Sequence, residues 1–449
     1  MRPYANLLRE NPNFARLWSA QVVSLLGDWF NTIALSILIA QYTGGSGLAI
    51  SLFLMARFLP PLIFGPFAGV LVDRFDRKRI LIYCNALRVF VVLGFLLATG
   101  PEMLWLIYLL TVIQFVLSAL FEPGQSAIMP AIVKREGLVL ANTLTSITWS
   151  AMLAVGAIIG GGVAAVFGIQ TAIVVDALTF ALAAYFISRI EIENPARIEK
   201  VSGESGSLLE GLRYLRNNPG IAAVMTVKGG GSIGNPDTII TVYATQVFIL
   251  GSSGQLSLGI LYSAFGVGAI LGPLVMNYVN DGSIVRMRDL ILGGFVLAFL
   301  GWLLLGAGMG ILGLMALPLV ISGIAIRAAG GSINWTYSSV IIQKTVPDRY
   351  LGRVFSLDMA FFQLVTVLST VLHGWIIDVV NAGIRIPLLD GQSSPVITEY
   401  VGLVTAPAIA HNLSVITLWT GVVSLIPLFF WIAVLPRIKR RELAPVAAD

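Results

Sequence analysis

Residues 69–79 read Gly69-Val70-Leu71-Val72-Asp73-Arg74-Phe75-Asp76-Arg77-Lys78-Arg79, and this stretch is the strongest indication of the fold in the sequence. Its last seven residues carry six formal charges. Apolar runs at 48–72 and 80–99 flank the charged residues. Each run has about the 20 residues that a helix needs to cross a bilayer. The stretch is therefore predicted to be a short basic loop between two membrane-spanning helices.

The composition of the whole chain supports a membrane protein. Of its 449 residues 57% are hydrophobic and 11% are charged, whereas soluble domains have about 25% charged residues. The chain has one cysteine, Cys84, and two distant histidines, His373 and His411. We therefore predict no internal disulfide, no metal site and no cofactor. The net charge of +5 follows the membrane topology, so we expect no nucleic-acid partner.

Apolar runs of spanning length recur along the chain, and twelve are predicted to cross the membrane. They are 17–40, 48–72, 80–99, 103–121, 142–167, 169–189, 220–249, 255–279, 289–308, 311–335, 353–380 and 409–435. The first run is too long for the apolar core of a secretory signal, so we interpret it as a retained span. The chain is predicted to be an all-α membrane protein.

The distribution of basic residues predicts the orientation. With the N-terminus inside the cell, 23 of the 28 lysines and arginines fall on the cytoplasmic side, as the positive-inside rule requires. Arg57, Arg88, Lys228 and Arg327 lie within spans, and only Arg385 falls outside. Both termini are therefore predicted to be cytoplasmic.

A weak internal repeat divides the chain into two halves. Gly65-Pro66 near the end of the second span corresponds to Gly272-Pro273 in the eighth, an offset of about 210 residues. We predict an N-terminal six-helix bundle at 1–190, a cytoplasmic linker at 191–219 and a C-terminal six-helix bundle at 220–449. Ser207 and Glu210 fit a capping box for a short amphipathic linker helix, which either lies on the membrane surface or packs on the bundle.

Ionisable residues inside spans are costly, and their usual interpretation is functional, with a partner. We expect Asp28 and Arg57 to pair or to share a polar network, and Arg327 to pair with Asp358. An aspartate that leaves its arginine changes its affinity for protons; the alternative is static ion pairs that only fix helix packing. The candidates for proton coupling are Asp28, Arg57, Asp176, Asp237, Arg327 and Asp358.

Two further features concern helix packing and a central cavity. Glycines from Gly156 to Gly162 predict close helix contact, and Gly229-Gly230-Gly231 with Pro236 predicts a flexible or broken helix. His373 is expected to be a packed, hydrogen-bonded residue. The candidates for contact with substrate in the cavity are Trp29, Phe30, Trp149, Lys228 and Trp335, although such side chains more often serve packing or face lipid.

The opening stretch resembles the hallmark loop of the major facilitator superfamily, Gly-x-Leu-Ala-Asp-Arg-x-Gly-Arg-Lys-Arg. Val72 and Asp76 depart from the commonest residues. The resemblance implies a loop that gates the transporter rather than one that binds substrate, and the alternative is a loop that only sets topology. The residues that would form the gate are Gly69, Asp73, Arg74, Arg77, Lys78 and Arg79.

Other segments are similar to the bacterial macrolide-efflux and enterobactin-exporter branch of that superfamily. Ala56-Arg57-Phe58-Leu59-Pro60, Phe121-Glu122-Pro123 and Val346-Pro347-Asp348-Arg349 are among them. The resemblance implies the major facilitator fold and proton-driven export of an amphipathic small molecule by a monomer in the bacterial inner membrane. Export or flipping of a siderophore or lysolipid is one alternative, and a non-transporting receptor or scaffold is another. The sequence has no pattern of a nucleophile with a base, and we therefore do not expect an enzyme.

Overall fold

Apolar segments form helices in this protein because only a helix satisfies the backbone hydrogen bonds of a single segment within a bilayer. The computed structural model describes residues 2–134, 137–191, 208–310, 316–382 and 407–434. Within these ranges the protein is helical and has no strand. The helices are α1 (Arg2–Glu10), α2 (Pro12–Thr43), α3 (Gly47–Arg74), α4 (Arg77–Gly94), α5 (Leu104–Ile132), α6 (Leu138–Phe167), α7 (Ile169–Ser188), α8 (Leu208–Asn217), α9 (Pro219–Ser232), α10 (Pro236–Gln246), α11 (Gln255–Asn277), α12 (Ile284–Gly310), α13 (Ala316–Thr345), α14 (Asp348–Val380), α15 (Pro407–Val423) and α16 (Leu425–Val434).

Eleven helical segments in the described ranges are long and apolar enough to cross a membrane. The predicted seventh span is not among them, because it is divided into α9 and α10. Gly234 between the two helices has φ 75°, a conformation that glycine adopts without steric cost. Asn235 then accepts a hydrogen bond from the Asp237 backbone and caps α10. The predicted broken helix at this position is present in the structure.

Two predicted loops are largely helical. The fourth span was expected to end at residue 121, but α5 continues to Ile132 with Pro123 and Pro130 inside it. Buried contacts of Phe121 and Ile128 hold this extension against the protein, which outweighs the loss of proline N–H groups. In the opening stretch, only Phe75 and Asp76 separate α3 from α4.

The α12–α13 pair packs backbone against backbone through glycines spaced seven residues apart. They are Gly294 and Gly301 on α12, and Gly323 and Gly330 on α13. A Cβ at Gly301 would lie 2.4 Å from the Arg327 backbone nitrogen. Small residues permit such approach between membrane helices, and here they hold Arg327 against α12.

The chain forms two compact units by its internal contacts. The first unit comprises Met1–Gly45, Leu52–Ser202 and Ile249–Ser263, and the second comprises Ser46–Ser51, Gly203–Phe248 and Ala264–Asp449. Leu17 and Leu81 are in the core of the first unit, and Ile291 and Trp431 are in the core of the second. Each unit therefore has its own apolar core.

The linker helix α8 packs on the start of α14 within the second unit. Glu210 forms an ion pair of 3.1 Å with Arg353, and the rings of Tyr214 and Tyr350 stack at 4.5 Å. Leu212 is 51% exposed, so the predicted apolar face is only partly buried. Ser207 of the predicted capping box lies outside the described residues.

Candidate functional site

Asp28 and Arg57 both line a pocket in the first unit. Side chains of α2, α3 and α5 surround it. Asn31 donates a hydrogen bond of 3.0 Å to Gln114 across the pocket. The Arg57 guanidinium lies 5.1 Å from the centre of the Phe115 ring. The expected shared network of Asp28 and Arg57 thus corresponds to a common pocket rather than to an isolated pair.

Arg88 of α4 connects this pocket electrostatically to Asp176 of α7. Arg88 interacts with both Asp28 and Asp176, and its side chain is 4% exposed. The rings of Phe121 and Phe180 lie 5.0 Å and 5.2 Å from its guanidinium. One buried arginine therefore acts on two aspartates that come from different helices.

Asp176 is fully buried and only partly satisfied. Thr179 is 3.4 Å from its Oδ1 atom, and its Oδ2 atom has no hydrogen-bond partner among the described residues. Gly27 on α2 makes room for this group, because a Cβ at Gly27 would lie 2.4 Å from Asp176 Oδ1. The glycine that precedes Asp28 thus allows α2 and α7 to bring their carboxylates near one arginine.

Glu122 is a further acid near Arg88 that the sequence did not identify as a site residue. It is exposed and interacts electrostatically with Arg88. It was assigned to a loop because the fourth span was predicted to end at residue 121. The apolar residues 127–132 beyond it were the signal for a longer helix.

In the second unit, Lys228 of α9 pairs directly with Asp358 of α14. The distance between Lys228 Nζ and Asp358 Oδ2 is 2.5 Å, and both side chains are fully inaccessible. Trp335 and Phe355 place their rings 4.8 Å and 5.5 Å from the ammonium group. Asp358 was expected to pair with Arg327, but the structure pairs it with Lys228. The predicted contact of Lys228 with substrate stays a prediction.

Arg327 occupies a different part of the second unit. Its guanidinium donates a hydrogen bond of 3.2 Å to the Gly231 carbonyl at the end of α9. Trp302 and Phe265 lie 5.4 Å and 5.8 Å from it, and Asp237 acts on it electrostatically. Arg327 therefore stabilises the C-terminal end of the broken helix, where the helix dipole favours a cation.

His373 is buried and hydrogen-bonded, as expected. Its Nε2 atom is 2.8 Å from Thr420 Oγ1, and its Nδ1 atom is 3.1 Å from the Ser369 carbonyl. Both ring nitrogens therefore have a partner within the second unit.

The aromatic candidates have different environments. Phe30 is 3% exposed and lies against Gly160. Trp29 packs on Tyr262 at 5.2 Å. Trp149 and Trp335 are 55% and 40% exposed. Only the last two present a large apolar surface outside the packed interior of their units.

The opening stretch forms a tight turn between α3 and α4. Arg77 donates a hydrogen bond of 3.0 Å to the Ala127 carbonyl in the extended part of α5. Arg74 and Arg79 are exposed and Lys78 is partly buried. The surroundings of Gly69 and Asp73 lie outside what the structure describes, so their predicted gating role stays a prediction.

Asp76, the departure from the superfamily pattern, is the N-cap of α4. Its carboxylate accepts a hydrogen bond of 2.9 Å from the Arg79 backbone. Asp76→Ala should lower the free energy of unfolding by about 1 kcal/mol, and Asp76→Gly by a few tenths, because glycine caps a helix better than alanine. Unfolding by SDS in mixed micelles measures both changes. Asp76→Asn is the control, and equal losses in Asn and Ala variants would contradict the cap.

No cluster of three or more histidine, cysteine, aspartate or glutamate residues that could hold a metal occurs in the described ranges. The candidate groups in these ranges are buried charges on helices long and apolar enough to cross a membrane. Buried charges of this kind are common on ion and substrate pathways.

The chain is similar to bacterial exporters. It is 24% identical over 386 residues to macrolide efflux protein A of Streptococcus pyogenes, across 81% of this chain and 89% of that protein. It is 27% identical over 366 residues to the enterobactin exporter EntS of Escherichia coli O6:K15:H31 (strain 536 / UPEC), across 78% of this chain and 81% of that protein.

A solved structure has the same fold. The crystal structure of a bacterial homologue of the human lysosomal transporter Spinster, inward-facing and occupied, superposes with a TM-score of 0.73 over 96% of this chain and 98% of that one. At 14% identity this likeness concerns the fold alone. The family model described as Major Facilitator Superfamily matches residues 17–370, so the chain belongs to this superfamily of membrane transporters and is not an enzyme.

Proposed function

We propose that the protein is a proton-coupled exporter of amphipathic small molecules in the bacterial inner membrane. In this proposal twelve spans form two six-helix halves with both termini in the cytoplasm, and the protein works as a monomer by alternating access. The broken segment α9–α10 would supply the span that is not among the eleven long helices. The basic turn at Arg74–Arg79 would gate the conformational change.

The observation that carries the proposal is the Asp28–Arg88–Asp176 cluster of the first unit. Arg88 interacts with both aspartates, while its hydrogen bond among the described residues goes to Asn85 at 3.4 Å. Its charge is therefore shared between these two aspartates and Glu122, and no direct ion pair in the described part of the chain commits it to one of them. A small movement of α2 or α7 would shift this balance and change the proton affinity of each acid.

Asp176 is the stronger proton carrier of the two. Its Oδ2 atom has no partner among the described residues and its side chain is fully buried. A buried ionised group without full hydrogen bonding is costly. A proton on Asp176 would neutralise a carboxylate that the surrounding helices do not fully stabilise.

The second unit has a different arrangement of charge. Lys228 and Asp358 already neutralise each other through a direct contact. If Lys228 lost a proton, or Asp358 gained one, a single buried charge would remain, and this is strongly unfavourable. We therefore assign proton coupling to the acids of the first unit and a structural role to the Lys228–Asp358 pair.

The cargo class follows from the relatives and from exposed aromatic groups. Macrolides and siderophores, the cargoes in the relatives' names, are both amphipathic. Trp149 and Trp335 offer apolar surface outside the cores of their units. Because of the similarity to the enterobactin exporter, a siderophore is the second candidate cargo. Transport assays with a panel of compounds distinguish it from a macrolide.

Reconstitution into liposomes with a pH-sensitive dye tests the proposal. Adding a cargo should release protons, and an imposed proton gradient should drive the cargo against its own concentration gradient. Macrolides, cationic dyes, siderophores and lysolipids are tested separately. Liposomes that contain heat-inactivated protein are the control. Cargo binding without proton movement or transport would contradict the proposal and favour a receptor or scaffold.

A further inference from the structure

A second polar pocket lies within the second unit, among α9, α12 and α13. Its walls include Gly231, Phe295, Trp302, Arg327, Gly331 and Asn334. A Cβ at Gly231 or Gly331 would meet no atom within 4 Å. Two of its lining residues therefore border open space although the surrounding helices pack closely.

Three side-chain atoms of residues that line this pocket have no hydrogen-bond partner in the described part of the chain. Asn334 is 2% exposed, and both its Oδ1 and its Nδ2 atoms are unsatisfied among the described residues. The Nε atom of Arg327, which is 8% exposed, is also unsatisfied there. A buried donor without an acceptor is unfavourable. The pocket thus offers two N–H donors that lie two turns apart on one helix.

The charge of the pocket is positive. Arg327 forms no ion pair with a carboxylate in the described part of the chain, and Asp237 acts on it only at longer range. The other buried cation of the unit, Lys228, is neutralised by Asp358. The sequence spacing explains the arrangement, since Arg327 and Asn334 are seven residues apart and share one face of α13.

We propose that this pocket binds a small monovalent anion, either a free halide or the carboxylate of a ligand. The Arg327 Nε and Asn334 Nδ2 groups would donate to it, and the apolar side chains of Phe295 and Trp302 would line the rest of the site. An ordered water could use the same donors but would add no negative charge beside Arg327, on which Asp237 acts without a direct ion pair. The proposal concerns binding and does not depend on proton coupling or export.

Thermal unfolding of the purified full-length protein tests the proposal. At constant ionic strength, replacing sodium HEPES, a bulky sulfonate without a carboxylate, by chloride, bromide or formate should raise the Tm by about 1–3 °C when the anion is at ten times its Kd. Octanoate distinguishes the two sources: a larger shift than chloride, with none from octanol, indicates the carboxylate of an amphipathic ligand. Equal Tm values in HEPES and in all small anions would show that the pocket holds water only, and would overturn the proposal.

Two variants localise the effect. Asn334→Leu removes the amide donor, and Gly331→Ala puts a methyl group into the open space without removing any polar group. Each should abolish the anion-dependent shift. Asn85→Leu is the matched control, because Asn85 is a buried asparagine of the first unit whose Nδ2 atom also lacks a partner among the described residues. A shift that persists in both test variants would refute the site.

Discussion

Lys228→Met should lower the free energy of unfolding by about 3–5 kcal/mol, the usual cost of leaving one partner of a buried ion pair uncompensated. The variant leaves Asp358 without its cation at a position where neither side chain of the pair is accessible to solvent. Asp358 Oδ1 already lacks a hydrogen-bond partner among the described residues, so no neighbouring group takes over. Unfolding by SDS in mixed micelles measures the loss.

The double variant Lys228→Met with Asp358→Leu identifies the cause. Apolar residues of similar volume often replace a buried pair at little cost, so the double variant should regain most of the lost stability. Arg353→Met is the control, since it breaks the accessible Glu210–Arg353 pair and should cost at most about 1 kcal/mol. A single variant within about 1 kcal/mol of the wild type would contradict a buried, uncompensated charge.

Asp176→Asn should abolish cargo-dependent proton release in liposomes while the protein still binds cargo. Asparagine keeps the shape of the side chain but carries no exchangeable carboxyl proton. Of the two buried aspartates, only Asp28 then remains ionisable beside Arg88. A movement of the helices can therefore no longer shift the interaction of Arg88 from one aspartate to the other. Fluorescence of a pH-sensitive dye measures release, and equilibrium binding of the same cargo shows that the site is intact.

Asp281→Asn is the control for this experiment. Asp281 lies in the turn before α12, where hydrogen bonds from Ser283 hold the pKa of its carboxyl below its ordinary value. A lowered pKa keeps the group ionised throughout a neutral assay, so it exchanges no proton there and its loss should change nothing. Unchanged proton release in both Asp176→Asn and Asp28→Asn would remove the first unit from the proton path.

The sequence alone was sufficient to predict the class of protein, its superfamily and most of its spans. Runs of apolar residues are local features, and each contributes its own transfer free energy wherever the helix finally packs. The broken helix was also predictable, because Gly229-Gly230-Gly231 and Pro236 lower helix stability by themselves. The weaker predictions concerned ends of helices, as at Glu122, where tertiary contacts extend α5 beyond the apolar run.

The partners of the buried charges were decided only by the tertiary structure. Lys228 and Asp358 are 130 residues apart in sequence, and Arg327 was an equally good partner for Asp358 by composition and depth. The rotation of each helix about its axis selects between them. The glycine contacts of α12 and α13 hold Arg327 towards Trp302 and the end of α9. Pairing depends on packing between distant segments, whereas membrane insertion depends on the hydrophobicity of each segment alone.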